Sequence, residues 1–397
     1  MDFIVKTVRQ PKRRAALNGA AQLSEPIQQV DRTCVLHRGR KLHYFAGCDY
    51  FRLASHPAVV HAVHEGLDRF GLNVAASRKT TGNHPLYGEL ETEIAKFFHS
   101  EAALLVSNGY MTNLAVSQAL AGEFTHALMD ARSHGCLADA ARLLECPVVE
   151  FRHRDPNSAL RAARRCGRRS RLLLLTDGLF SHSGEVAPLD EYLKQLPAST
   201  TLLVDDAHGA GALGKTGRGA VEYLGVPTRR IIQTITLSKA FGVYGGAVLG
   251  SAALRRKIIA RSRLFVGNTP LPLPLVSGAL TAFEILRADR TLRRRLVFNT
   301  NYVKAALREA GFPINGGPGP IVPIVPATAR AAARQRASLL KAGIYPPLIN
   351  YLGGPSDAYF RFVISSEHTA EQLDSLVKAL TMLRPGGCAE KLAGGLR

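Results

Sequence analysis

Three polar clusters that could do chemistry each follow a short apolar run. The first is Asp205-Asp206-Ala207-His208, directly after Thr201–Val204. A buried carboxylate beside a heterocyclic nitrogen keeps that nitrogen protonated, because opposite charges favour both ionised forms. The sequence does not decide which of the two aspartates would do this. Read alone, the cluster is also compatible with a polar turn that leads into a glycine-rich loop.

The second cluster places Lys239 between small hydroxyl residues, in Thr236-Leu237-Ser238-Lys239, with Gly242 soon after. This setting suits a lysine that forms a Schiff base. Its amine must be neutral part of the time, and burial beside cationic or polar groups lowers an amine pKa. Read alone, an exposed lysine in a loop is the commoner case.

The third cluster, Ser107 to Asn113, joins the apolar run Ala103–Val106 to a predicted helix. Gly109 at the start of that helix would leave backbone N–H groups open to a phosphate. A single glycine turn of this kind is a weak signal, since most are plain connections.

These clusters need a scaffold that brings strand ends together, and the chain predicts one. From about residue 100, short Leu/Val/Ile runs alternate with helical stretches, as in a mostly parallel sheet covered on both faces. Ligands of such sheets sit at the carboxyl ends of the strands. The runs are Ala103–Val106, Ala127–Met129, Val148–Phe151, Leu172–Thr176, Thr201–Asp205, Ile231–Leu237 and Gly246–Leu249.

The α/β pattern predicts four segments along the chain. They are an N-terminal arm and helix (1–60), a large α/β domain (61–290), a small α+β C-terminal domain (291–383) and a loose tail (384–397). The small domain rests on two β-like runs and a last helix: Ile321–Val325, Phe360–Ser365 and Thr369–Leu383.

The net charge of +20, with a pI near 10.1, suggests nucleic acid as a first partner. However, the basic residues form short clusters along the whole chain, among them Lys12–Arg14 and Arg164–Arg171. No recognition helix or aromatic–basic stripe accompanies them. We therefore expect no nucleic-acid partner, and a basic nucleic-acid-binding protein on an old enzyme fold stays a remote alternative. Part of the charge would attract an acidic or phosphate-bearing partner, such as acyl-CoA or an acyl carrier protein.

Cysteine spacing and hydropathy exclude other classes. The six cysteines form no C-x-x-C pair, so neither a metal site nor a disulfide framework is expected. All six, Cys136 and Cys388 included, are expected to be buried apolar side chains or incidental thiols. No apolar run is long enough to span a membrane, and the basic N-terminus lacks the apolar stretch of a secretory signal. A cytoplasmic protein is expected.

Together the clusters are far more specific than each alone. Asp205 precedes His208 by 3 residues and Lys239 by 34, with the candidate phosphate cradle about a hundred residues upstream. This order resembles the α-oxoamine synthases, a family of fold type I pyridoxal-phosphate enzymes. The resemblance runs from about Gly47 to Leu380 and is most specific in Thr81–Tyr87, Val204–Gly219 and Thr236–Lys239. It implies an α/β fold with a mostly parallel seven-stranded sheet and a smaller α+β domain, pyridoxal 5'-phosphate as cofactor, and a homodimer.

The resemblance also implies roles around the cofactor ring. Lys239 would form the Schiff base and later act as base at the Cα of an amino acid. Asp205 would pair with the ring nitrogen, His208 would hydrogen-bond the ring 3-oxygen, and His134 would stack on the ring.

Further residues would bind the phosphate and the substrate. Gly109 and Tyr110 would offer backbone N–H groups to the phosphate, and Thr236 its hydroxyl. Thr269 lies in a stretch, Asn268–Pro272, that resembles a loop lent to the neighbouring subunit's site. Arg361 would take the substrate carboxylate, since its guanidinium binds carboxylates bidentately.

Three departures from the family pattern fall on the substrate side. Cys48, in Cys48-Asp49-Tyr50, stands where the family usually has asparagine, and Asn268-Thr269 stands where Ser-Thr is common. The stretch Tyr351-Leu352-Gly353-Gly354 is also unusual. The departures therefore bear on the identity of the substrate, whereas the cofactor residues match the family pattern.

The predicted reaction joins a small amino acid to an acyl thioester, with loss of carbon dioxide, to give an α-amino ketone. Within the family, the Gly82–Tyr87 stretch most resembles the enzymes of biotin synthesis, and this resemblance implies L-alanine and a pimeloyl thioester as substrates. Glycine with acetyl-CoA, or serine with a long acyl chain, stays open within the family. An aminotransferase or aldolase on the same fold is the rival enzyme class.

Overall fold

A computed structural model describes residues 23–350, 354–356 and 358–382. The strands, in chain order, are β1 (Gln28–Gln29), β2 (Cys34–His37), β3 (Arg40–His43), β4 (Ala102–Val106), β5 (His126–Asp130), β6 (Val148–Phe151), β7 (Leu172–Asp177), β8 (Thr201–Asp205), β9 (Ile231–Thr236), β10 (Gly246–Gly250), β11 (Ile321–Ile324), β12 (Leu348–Ile349) and β13 (Tyr359–Val363). The α-helices are α1 (Pro57–Phe70), α2 (Pro85–Phe98), α3 (Gly109–Ala119), α4 (Gly135–Arg142), α5 (Pro156–Arg165), α6 (Leu189–Gln195), α7 (Ala220–Tyr223), α8 (Ala252–Arg261), α9 (Arg263–Val266), α10 (Leu273–Ala288), α11 (Arg290–Glu309), α12 (Ala329–Lys341) and α13 (Ala370–Thr381).

The central sheet has seven strands in the order β4-β10-β9-β8-β7-β5-β6, and only β10 runs antiparallel to its neighbours. Each of the seven predicted runs coincides with one of these strands to within one residue at either end. The prediction of an α/β fold with a mostly parallel seven-stranded sheet is confirmed.

Neighbouring residues of β7 enter different cores, which explains its continuous apolar run. Leu172 and Leu174 pack in a cluster with α5 and α6, whereas Leu173 and Leu175 pack with α3, α4 and α8. All four side chains are at most 2% exposed. Complete burial of a leucine contributes roughly 1.5–3 kcal/mol, so both faces of the sheet stabilise the fold.

The N-terminal part of the described chain is a small antiparallel sheet in the order β1-β2-β3. Arg38 and Gly39 join β2 to β3 with φ values of 49° and 74°, a turn of positive φ that matches the twist of a hairpin. In the described part of segment 1–60, the α-helix begins at Pro57, where the His56 side chain accepts the Ala58 N–H and caps α1. The strands of this hairpin are too short and too polar for the sequence pattern to predict them.

The C-terminal part contains an antiparallel sheet in the order β11-β13-β12. Its core includes Phe360, Phe362 and Leu376, and Phe45 from the N-terminal segment packs among them. The Val363 N–H donates to the Phe45 carbonyl at 2.9 Å, and the Ser366 N–H to the Tyr50 carbonyl at 2.9 Å. The first and last described parts of the chain therefore share one core.

Some predictions lie outside the described residues: the tail 384–397, the Lys12–Arg14 cluster, Cys388 and the Tyr351–Gly353 stretch. The domain boundaries after residues 60, 290 and 383 stay predictions. Of the cysteines in the described ranges, Cys34, Cys48, Cys136, Cys146 and Cys166 are free thiols. Across those same ranges, no helix combines the length and apolarity that a bilayer crossing requires.

Candidate active site

The carboxylate of Asp205 is fixed at the end of β8 by donors from three directions. Asn113 Nδ2 donates to its Oδ2 at 2.8 Å, and Cys136 Sγ approaches the same oxygen at 3.1 Å. The Ala207 N–H donates to Oδ1 at 3.1 Å. With the side chain buried, these contacts allow one orientation, which faces the start of α4.

The Asp206 carboxylate makes its hydrogen bonds with a different set of residues. Its Oδ2 accepts hydrogen bonds from the Ala220 N–H and from Gln233 Nε2, both at 2.8 Å. Its Oδ1 packs so closely that a Cβ on Gly209 would lie 2.1 Å away. Burial raises the pKa of Asp206 to about 7, against its hydrogen bonds, which lower it. The geometry thus favours Asp205 as the acid that faces a ligand.

His134 caps α4 and faces Asp205. Its ring Nδ1 accepts the Cys136 backbone N–H at 3.1 Å, and the backbone N–H of His134 donates to Asp177 Oδ2 at 2.9 Å. Burial lowers the pKa of His134, and the charge of Asp205 opposes this effect. The neutral ring therefore carries its proton on Nε2.

His208 lies in the turn that follows Asp205, with its Nδ1 2.7 Å from the hydroxyl of Tyr50. Burial lowers the pKa of His208 well below its ordinary value, and the charges of Lys239 and Arg361 add to this. Burial likewise raises the pKa of Tyr50 well above its ordinary value. Both side chains are neutral near pH 7.

Lys239 follows β9 in a tight turn in which the Gly242 N–H donates to the Lys239 carbonyl at 3.0 Å. Gly242 has a φ of +66°, and a Cβ there would lie 2.3 Å from the Ala54 nitrogen, so only glycine fits. The half-buried amine makes no hydrogen bond or ion pair with the described residues. Its charge acts on His134, Asp177 and His208, so it shares their space.

The predicted phosphate cradle lies where the N-terminus of α3 closely approaches β9 and β10. A Cβ on Gly109 would lie 2.7 Å from the Thr236 Cβ, and one on Gly246 would lie 2.7 Å from the Asn108 carbonyl carbon. Asn108 Oδ1 accepts the Met111 N–H at 3.0 Å and caps the helix. The first N–H groups of α3 therefore face the end of β9 across a gap that only glycines permit.

Tyr110 also borders this region. Its hydroxyl donates to Asp139, and its ring meets that of His134 edge-on with centroids 6.1 Å apart. The Thr236 hydroxyl donates to the Gly245 carbonyl at 3.1 Å and accepts the Ser238 N–H at 3.2 Å. Both predicted phosphate-binding residues thus lie beside the cradle.

Arg361, in the middle of β13, faces the same space from the C-terminal sheet. Its charge lowers the pKa of His208 and that of Tyr50, although burial dominates both shifts.

Thr269, unlike Arg361, does not face this space. It is exposed, and its neighbour Asn268 donates to Ser107 Oγ at 2.8 Å. Among the described contacts none joins Thr269 to Lys239, so within one chain this residue stays apart.

Four residues of this region were missed as site residues by sequence reasoning: Tyr50, Asn113, Cys136 and Asp177. Asn113 lies four residues after Gly109 and so on the same face of α3, a signal that periodicity could have supplied. Asp177 ends β7 just as Asp205 ends β8. Cys136 is buried, as one of the two expectations for the cysteines has it, and its thiol also contacts both Asp205 and His134.

One group of possible metal ligands exists among the described residues: His134, Cys136 and Asp205, with ligand atoms within 4.8 Å of one another. A metal would need the Cys136 thiolate. Burial, together with the charge of Asp205, raises the pKa of this thiol far above its ordinary range. The His134 Nδ1 lone pair is also used by the Cys136 N–H. This arrangement disfavours a metal ion. The absence of a metal site stays a prediction.

The same arrangement fits pyridoxal phosphate. It offers an ionisable carboxyl for the ring nitrogen, neutral imidazoles, a lysine amine without a partner among the described residues, and a glycine cradle that a Cβ would fill. These groups come from α3, α4 and the ends of β8 and β9, at one edge of the sheet.

Comparisons with known proteins agree with this geometry. The family described as "Aminotransferase class I and II" matches residues 48–380. The 8-amino-7-oxononanoate synthase of Thioalkalivibrio sulfidiphilus is 36% identical over 358 residues, which cover 89% of this chain and 90% of that protein.

Two solved structures are also similar. A serine palmitoyltransferase from S. paucimobilis with a bound PLP–myriocin aldimine has a TM-score of 0.85 at 26% identity, covering 90% of this chain and 92% of that one. An 8-amino-7-oxononanoate synthase from Francisella tularensis has a TM-score of 0.75 at 26% identity, covering 86% and 97%.

Proposed function

The chain belongs to the α-oxoamine synthases, a family of pyridoxal-phosphate enzymes within the class I and II aminotransferases, and we propose that it condenses L-alanine with a pimeloyl thioester. The products would be a free thiol, carbon dioxide and an α-amino ketone, as in biotin synthesis. The observation that carries this proposal is the convergence of the Lys239 amine with Asp205, His134 and His208.

The cofactor would be held by residues from both sides of the sheet edge. Lys239 would bind its aldehyde carbon, and the backbone of Gly109 and Tyr110 with Thr236 would bind its phosphate. Pyridoxal phosphate, when bound, supplies a carbonyl for the substrate amine and a ring that draws electrons from the Cα.

Asp205 would hold a proton on the ring nitrogen. Its neighbour Asp177 is buried, and this burial and the charge of Asp205 raise the pKa of Asp177 well above its ordinary value. The strand-end pair therefore carries one negative charge, and the Asn113 and Ala207 donors favour placing it on Asp205.

The remaining residues would orient and act on the substrates. Arg361 would bind the amino-acid carboxylate bidentately, and the Lys239 amine would take the Cα proton. His134 carries its proton on Nε2, because Nδ1 accepts the Cys136 N–H. It is therefore suited to donate to the thioester oxygen as negative charge develops there.

The assembly we propose is a cytoplasmic homodimer. The exposed Thr269 and its loop make no described contact with Lys239 of their own chain. A loop that serves the neighbouring subunit's site would have this placement, and the site would then be complete only at the subunit interface.

A second candidate reaction is favoured by the similarity to a serine palmitoyltransferase. It would join serine to a long-chain acyl thioester with the same residues in the same roles. An aminotransferase would instead transfer the amino group to a keto acid and release no thiol.

A matrix of substrates tests the proposal. Alanine, glycine and serine are each combined with acetyl-, pimeloyl- and palmitoyl-CoA, and with a keto acid, and thiol release is followed. We expect the largest kcat/KM for alanine with pimeloyl-CoA. Highest activity for serine with palmitoyl-CoA would favour the second candidate. Amino transfer to the keto acid without thiol release would contradict both.

A further inference from the structure

The contact between Tyr50 and His208 joins residues 158 positions apart and is almost wholly buried. Tyr50 Oη lies 2.7 Å from His208 Nδ1, and the two residues are 0% and 5% exposed. Water therefore cannot substitute for either partner. The Tyr50 carbonyl also accepts the Ser366 N–H, which fixes the backbone from the C-terminal segment.

The protonation of the pair follows from its surroundings. Lys239, Arg361, His134 and His182 face His208, and all of them oppose a positive charge on it. Cys48 and Arg361 face Tyr50, where burial keeps the phenol protonated. A protonated phenol beside a neutral imidazole can donate to Nδ1, and the imidazole proton then resides on Nε2.

We propose that Tyr50 is a positioning residue for the cofactor, because its hydroxyl fixes the tautomer in which His208 presents an Nε2–H donor to the ring 3-oxygen. This inference rests on the proposed function, in which His208 binds that oxygen. Without the hydroxyl, the imidazole can carry its proton on Nδ1 and turn a lone pair toward an oxygen anion. Tyr50 then belongs to the cofactor side of the site, although its sequence neighbours depart from the family pattern on the substrate side.

The first test is a pH titration of the visible absorbance of the bound cofactor in the holoenzyme. In Tyr50→Phe we expect the transition to move up by about one pH unit, the scale of one charge-assisted hydrogen bond. The reason is that the anionic ring 3-oxygen, once it lacks the Nε2–H donor of His208, holds the proton that it shares with the adjacent nitrogen more tightly. An unchanged transition would overturn the inference.

Tyr192→Phe is a matched control. Tyr192 is also 0% exposed, but its hydroxyl has no hydrogen-bond partner among the described residues. This variant removes a buried phenolic hydroxyl of the same kind and should leave the transition where it is in the wild type.

A double variant separates positioning from a general structural effect. In a His208→Phe background, Tyr50→Phe should cause no further shift, because phenylalanine has no donor or acceptor that could transmit its effect. A shift of the same size in both backgrounds would show that Tyr50 acts by another route.

Nitrogen-15 NMR of histidine-labelled protein reads the tautomer directly, with His208→Gln used to assign the signals. The wild type should show Nδ1 as an acceptor and Nε2 protonated, and Tyr50→Phe should add the other tautomer. The same tautomer in both proteins would contradict the inference. A wild type without any cofactor absorbance would count against the proposed function instead, and the NMR result would still decide the role of Tyr50.

Discussion

Asp177 and Asp205 are paired across β7 and β8, so two carboxyl groups end neighbouring parallel strands side by side. Burial and the charge of Asp205 together raise the pKa of Asp177 well above its ordinary value, and the His134 N–H only partly offsets this. Two adjacent buried carboxylates would repel each other. The pair therefore keeps one proton, and Asp177 takes it.

Asp177→Asn tests this division of charge. Asparagine still accepts the His134 N–H but cannot ionise. Because the folded-state pKa of Asp177 is raised, the wild type loses stability as the pH rises above the unfolded value near 4. We expect the variant to be the more stable protein at pH 8 in urea unfolding, because it has no buried carboxyl group to ionise. At pH 4 the two should be nearly equal. A variant that is less stable at pH 8 would show that Asp177 is the ionised partner.

Asp205→Asn should retain the cofactor but slow Cα proton exchange by about 100-fold or more, because an amide cannot hold the ring nitrogen protonated. Deuterium exchange of alanine measures this step without the thioester. Near-normal exchange would point to Asp206 as the ring partner.

Asp206→Asn should have the opposite profile, with exchange close to normal and an altered pH dependence of stability. The pKa of Asp206 is about 7 in the fold and 3.8 ordinarily, because burial raises it. The folded state thus binds a proton that the unfolded state has lost, and wild-type stability falls as the pH rises from about 4 to 7. Unfolding at several pH values should show this slope reduced in the variant. An unchanged slope would mean that the carboxyl is not the group responsible.

Lys239→Ala should abolish covalent attachment of the cofactor and lower turnover by several orders of magnitude. The amine makes no bond with described residues, so little stability should be lost with it. Mass spectrometry after borohydride reduction measures the attachment. A cofactor still fixed by borohydride in the variant would identify another lysine as the attachment point.

Gly109→Ala should weaken cofactor binding by about tenfold or more, because its Cβ would lie 2.7 Å from the Thr236 Cβ and force the α3 N-terminus away. Gly88→Ala is the matched control, since Gly88 lies in the first turn of α2 and a Cβ there meets nothing within 4 Å. Equilibrium titration with pyridoxal phosphate compares the two. Equal affinities would show that the cradle is not the phosphate site.

The central sheet could be predicted because most of its strands, β7 and β9 above all, are buried on both faces and read as continuous apolar runs. Lys239, Asp205 and His208 were predictable for the same reason, since each follows such a run directly. Their assigned roles stay predictions.

The contacts between distant residues could not be predicted. The Asn113–Asp205 contact spans 92 positions and depends on the rotation of α3 against β8. The N-terminal sheet was missed because strands of two to four mostly polar residues carry no apolar period. Thr269 would need a second subunit to meet the other site residues, and a single sequence does not specify that geometry.

The core that Phe45 shares with β13 can form only after most of the chain has been synthesised. A ribosome delivers Phe45 and Tyr50 more than three hundred residues before their partners Val363 and Ser366. During that interval the hairpin has no core to join, although the seven strands of the central sheet can already pair.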